Sequence, residues 1–103
     1  MTEASLAQAG EARWALRGVL DFGSVPVVWP RLEQLLLDGG DLTVSLADVE
    51  STNSAGLVML LEARDLAHRH RHRCRLHLVD LPAELLDLAR MSRCEDLIGQ
   101  DAG

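Results

Sequence analysis

The chain contains no lysine; all ten of its basic residues are arginine. A phosphate loop of the usual G-x-x-x-x-G-K type is therefore excluded, and with it the ordinary P-loop ATPases. The G-x-S-x-G elbow of serine hydrolases is also missing. Positive charge is scarce: the formal net charge is −6, the wrong sign for the basic footprint of a nucleic-acid binder. There are two cysteines, Cys74 and Cys94, and in a cytosolic chain such a pair is more often two reduced thiols than a disulfide. No apolar run approaches the roughly 20 residues of a membrane span. Residues 1–10 lack the basic and apolar regions of a signal peptide. A cytoplasmic location without a membrane span is the expectation. Repeats, linkers and low-complexity segments are missing too.

What remains is an ordinary globular composition, 48% hydrophobic and 25% charged over 103 residues. That length predicts one domain with a two-layer core, ordered except at residues 1–4 and 99–103. Ser5 to Ala9 is expected as an edge strand, turned at Gly10-Glu11 into a strand over Ala12 to Leu20. In the second strand Trp14, Leu16 and Gly18 alternate with Arg13, Ala15 and Arg17, giving one apolar face and an antiparallel hairpin. Asp21-Phe22-Gly23-Ser24 breaks the strand, with Ser24 as the expected cap of a helix. Val28, Leu32, Leu35 and Leu36 form that helix's apolar stripe, and Trp29 falls off it. Pro26 suits a first turn; Pro30 predicts a kink or a later start. Asp38-Gly39-Gly40 ends the helix.

Asp41 to Val49 then reads as a central strand and Glu50 to Ser54 as a polar loop. A helix is expected from Ser54 to about His70, with Gly56, Met59, Leu60, Ala63, Leu66 and Ala67 inward. Arg73 to Asp80 is another strand, with Leu76 and Leu78 opposed to His77 and Val79. Leu81-Pro82 opens a last helix that buries Leu85, Leu88, Ala89 and Met91, followed by a tail packing Leu97 and Ile98. The order is ββαβαβα. Strand–helix–strand units of this length require parallel neighbours and right-handed crossovers. The fold class is α/β, a small mixed sheet with helices on one face.

Two segments are candidates for chemistry. Ser51-Thr52-Asn53-Ser54 brings hydroxyls to the start of a helix, where free backbone N–H groups suit a phosphate or a docked partner. A bare cap needs fewer polar residues than this. Catalysis by Ser54 requires an oriented base. The four histidines lie at 68, 70, 72 and 77, roughly 20 Å away along about 14 residues of helix. The second segment is His68 to His77. His68 and His72 could share a helix face, but the interleaved arginines repel a metal ion, so no metal site is expected. The segment reads as a solvated helix end that complements the dipole, or else as a basic patch for an acidic partner or anionic lipid.

Leu46-x-x-Val49 followed by Asn53-Ser54-Ala55-Gly56-Leu57 resembles the signature of STAS domains, the fold of bacterial anti-sigma factor antagonists. The order of elements and the basic end of the second helix extend the likeness over nearly the whole chain. A closer likeness is to the small STAS subunits of Mla phospholipid ABC transporters, which maintain outer-membrane lipid asymmetry. It is carried by Leu16-x-Gly18-x-Leu20-Asp21, by Trp29, and by a hydroxyl residue at Ser54 ahead of Gly56 and Leu57. Two departures stand out. Asn53 occupies the place of the antagonists' Asp, and Ser54 that of the transporter subunits' usual Thr.

The resemblance implies a non-catalytic regulatory subunit without cofactor or metal. Its partner would be the cytoplasmic ATPase subunit of an inner-membrane phospholipid ABC transporter and, through it, the permease. The protein would then sit peripherally at the inner membrane. Trp29, Thr52, Asn53, Ser54, Ala55, Gly56 and Leu57 would form the partner-binding set. Trp29 would fill a pocket and Gly56 would let the partner approach. The alternative is an anti-sigma factor antagonist switched when an anti-sigma factor kinase phosphorylates Ser54. A weaker third reading is a ligand or lipid sensor that uses the uncovered face of the sheet.

Overall fold

Alternating side chains set the sheet and heptad-like stripes set the helices. The computed structural model describes residues 4–98. It runs β1 (Ser5–Gln8), β2 (Arg13–Leu20), α1 (Val25–Leu37), β3 (Gly40–Thr52), α2 (Ser54–Arg69), β4 (Cys74–Val79), α3 (Ala83–Met91) and α4 (Glu95–Ile98). The expected order is present, with one short helix added at the end. The sheet order is β1-β2-β3-β4. β1 and β2 form the antiparallel hairpin, from Ser5↔Arg17 to Gln8↔Trp14. β3 lies parallel to both β2 and β4, so α1 and α2 are the crossovers.

The covered face of the sheet carries Leu16 and Leu20 from β2, Val44 and Leu46 from β3, and Leu76 and Leu78 from β4, all buried. Against it pack Val28, Leu32 and Leu36 of α1 and Met59, Leu60, Ala63 and Leu66 of α2. Fully burying one such side chain contributes about 1.5–3 kcal/mol, so this layer dominates stability. Arg64 ties α2 down further: its guanidinium donates to the carbonyls of Leu76 (3.1 Å) and Ile98 (3.4 Å). The opposite face is open, with Arg13, Arg17 and Asp48 exposed.

Several local expectations change. Ala4, expected at a frayed end, is buried; residues 1–3 and 99–103 lie outside the described residues. Ser24 does not cap α1 with its side chain. Asp21 does the work instead, its Oδ1 accepting from the backbone N–H groups of Gly23 and Ser24, both at 2.9 Å. The Ser24 hydroxyl instead donates to the Val19 carbonyl at 2.6 Å. Pro26 sits in the first turn as expected, while Pro30 lies inside a helix that continues past it. Met91 and Leu97 are exposed, at 76% and 53%, whereas Ile98 is fully buried. The short α4 turns only one apolar side into the core. α2 ends at Arg69, so His72 sits in the following turn and shares no helix face with His68. Cys74 and Cys94 are free thiols.

The largest change concerns β3, which runs on to Thr52 rather than ending at Val49. Its pairing with β2 shifts register twice, between Ala15 and Arg17 and between Gly18 and Val19. Each shift inserts an extra residue into β3 and re-aims the strand. Gly18, at the second shift, takes a φ of 91°, which glycine adopts without a steric penalty. Strict alternation is lost between Leu46 and Thr52. Thr52 ends up pointing inward, only 7% exposed.

Candidate functional site

The registers place the two strand-to-helix junctions side by side. Leu20 at the end of β2 pairs with Thr52 at the end of β3. The Asn53 N–H donates to the Leu20 carbonyl at 3.0 Å. Because β2 and β3 are parallel, α1 and α2 both start at this edge of the sheet. Residues 25 and more positions apart in sequence are thereby made neighbours: Trp29 of α1 and Ser54 of α2 line one groove.

That groove holds about 300 Å³. Its α1 wall is Val25, Pro26 and Trp29, extended by Phe22 from the preceding turn. Its α2 wall is Ser54, Ala55, Val58, Met59 and Glu62. Phe22 is 72% exposed and Val58 57%. The chain has only three aromatic side chains, one Phe and two Trp. Two of the three stand at this groove, and neither is fully buried. Phe22 stands clear of the core, while Trp29 is partly buried against it. The third, Trp14, is covered by the Arg31 guanidinium, 5.1 Å from its ring centre.

The junction residues divide into those that face out and those that hold the loop. Ser54 is the first residue of α2 and is exposed; its hydroxyl makes no hydrogen bond among the described residues. Asn53 caps the helix, its Oδ1 accepting from the Ala55 N–H at 2.8 Å. The other members of the expected set turn inward. Thr52 gives its hydroxyl hydrogen to the Asn53 carbonyl at 3.0 Å, and its backbone N–H to Glu84 Oε1 of α3 at 2.7 Å. Leu57 is in the core, and Ala55 is buried at the groove floor.

Gly56 is corrected most. It faces the sheet, not a partner: a Cβ there would overlap the Thr52 hydroxyl and come within 2.9 Å of Leu20 Cβ. Its smallness lets α2 seat on the ends of β2 and β3. Trp29, expected to be exposed, is half-buried and packs against the core. Phe22, Val58 and Glu62 were not singled out in the sequence. Val58 and Glu62 were visible in principle as the i+4 and i+8 positions from Ser54 on the expected helix.

The electrostatics at the junction come from helix ends. The α1 N-terminus is closed by the Asp21 carboxylate, whereas α2 has no acidic residue in its first turn and its N-terminus keeps its partial positive charge. Backbone donation from Ser24 and then Gly23 lowers the Asp21 pKa, keeping that turn ionised and closed. Among the described residues, no base hydrogen-bonds the Ser54 hydroxyl. His68 lies at the far end of the same helix, about 21 Å away by helical rise. Among the described residues, no group of three or more His, Cys, Asp or Glu is arranged to hold a metal ion. No helix among them is long and apolar enough to cross a membrane.

A mixed four-stranded sheet, helices on one face and a polar junction leading into the second helix together define a STAS-type domain. The family comparison agrees: the model described as "Mlab, STAS domain" matches residues 4–99, and the chain belongs to this family. No curated protein matches the chain in sequence. Among solved structures it is similar to the anti-sigma factor antagonist SpoIIAA in its unphosphorylated form. That match has a TM-score of 0.66 and 12% identity, over 91% of this chain and 84% of the other. At that identity the likeness shows the fold.

Proposed function

We propose that this protein is a non-catalytic subunit that docks on the cytoplasmic ATPase of an inner-membrane phospholipid ABC transporter. The observation that carries the reading is the groove that joins Trp29 and Ser54, two of the features behind the likeness to Mla-type subunits. An apolar side chain of the ATPase enters between Val58 and Trp29, while Ser54 and Asn53 hydrogen-bond its rim. Truncating a buried aromatic anchor of this kind typically costs about 2 kcal/mol or more of binding. The mechanism is a coupling free energy: a subunit that binds one ATPase conformation better shifts the ATPase toward it. The protein then resides at the cytoplasmic face of the membrane through its partner. Co-purification with the ATPase tests the reading. Ser54→Arg, a change at an exposed first helical position, should abolish it; full retention by a folded variant would refute the site.

A second reading is favoured by the free, exposed Ser54 hydroxyl. A phosphate placed there would meet the partial positive charge of the α2 N-terminus and add about −1.5 to −2 charge. The protein would then be a phosphoswitched antagonist whose partner is an anti-sigma factor kinase. Intact mass after incubation with such a kinase and ATP separates the two readings. One phosphate, lost in Ser54→Ala, supports the switch.

A further inference from the structure

The groove is not uniform along its length. Two i, i+4 rows run along it: Val25 and Trp29 on α1, continued by Glu33 just beyond the lining residues, and Ser54, Val58 and Glu62 on α2. From Ser54 to Glu62 is about 12 Å by helical rise. The groove thus begins at the starts of two helices and runs over apolar side chains. Beyond them each row reaches a carboxylate.

Neither carboxylate is answered among the described residues. Among the described residues Glu33 and Glu62 make no ion pair or hydrogen bond. Other helical carboxylates here do find local counter-ions: Asp65 holds Arg69 at 2.9 Å and Asp87 holds Arg90 at 3.1 Å. The positions three and four away from Glu33 are Trp29, Pro30, Leu36 and Leu37. Around Glu62 they are Val58, Met59, Asp65 and Leu66. Among the described residues, none that lines the groove is basic.

We propose that the groove receives a cationic amphipathic segment of the partner: an apolar side chain between Trp29 and Val58, with an arginine or lysine of the same segment on Glu33 and Glu62. This deepens the docking reading and rests on it. The charge argues against the other occupants. A second copy of the chain carries the same net charge of −6, and an anionic lipid surface would meet two carboxylates. A basic segment gains on both counts, since opposite charges at an interface rim raise affinity and speed association.

The test measures affinity for the purified ATPase subunit at about 50 and about 500 mM salt, across which the screening length falls from roughly 14 to 4 Å. Glu33→Gln/Glu62→Gln should bind about tenfold more weakly at low salt and lose most of the wild-type salt dependence. Trp29→Ala should weaken binding at both salts alike. If the double Gln variant matches wild type in affinity and salt dependence while Trp29→Ala weakens binding, the cationic segment is wrong and docking stands. If Trp29→Ala also binds like wild type, or the ATPase binds no form of the chain, both are overturned.

Discussion

Gly56→Ala sets two ordinary effects against each other. Helix propensity alone predicts a gain of about 1 kcal/mol, because glycine inside a helix costs that much relative to alanine. Packing predicts the opposite. The new methyl would overlap the buried Thr52 hydroxyl and lie 2.9 Å from Leu20 Cβ. Thr52 cannot simply swing away, since its hydroxyl is held by the Asn53 carbonyl at 3.0 Å and its N–H by Glu84. Leu20 is fully buried and has no room to yield. Overpacking of this kind costs about 1–3 kcal/mol, and two rigid contacts place this case at the upper end. The net expectation is a loss of about 2 kcal/mol, or a fall in Tm of about 8–16 °C for a domain of this size. Urea denaturation with an unchanged m-value reads it directly. Adding Thr52→Ala should relieve one of the two contacts, making the double variant about 1 kcal/mol less destabilised than the sum of the singles. A Gly56→Ala protein as stable as wild type, or more stable, would refute the close seating of α2 on the strand ends.

The neighbouring contacts carry their own expectations. Asn53→Ala removes the cap on α2 and should cost about 1 kcal/mol by denaturation, while Asn53→Asp should keep the cap. Glu84→Ala leaves the Thr52 N–H without its acceptor and should cost about 1 kcal/mol, with Glu84→Gln recovering part of it. The folded-state pKa of Asp21 is lowered. Its contribution is therefore fully present above the ordinary carboxylate value near about 4 and is lost as pH falls through the lower folded value. Asp21→Asn should flatten the acid limb of a stability–pH curve; an unchanged limb would contradict the turn's role.

Much of the fold is legible because its signals are local. The alternation in β2 and β4 and the apolar stripe on α1 follow directly from side-chain period. β3 is less so. Its two register shifts break the alternation over residues 47–51, so a polar strand reads as a polar loop. Capping by Asp21 rather than Ser24 is a choice between two residues with the same propensity, decided by the Val19 carbonyl that Ser24 reaches. At the site, Ser54 and Asn53 carry their role in their residue types. The inward turn of Thr52 and Gly56 depends on register, which one strand's sequence does not contain. The meeting of Phe22, Trp29 and Val58 with Ser54 comes from the Leu20↔Thr52 pairing, a tertiary fact. The residues at that meeting point had only their surplus apolarity to mark them.

The central claim is that the paired starts of α1 and α2 form the docking surface. Hydrogen exchange of the chain alone and in complex with the ATPase subunit tests it most directly. The account predicts added protection at residues 22–29 and 54–62, with β1, β4 and the open face of the sheet unchanged. Protection centred on that open face or on the β1 edge, with the groove still exchanging as in the free protein, would contradict it.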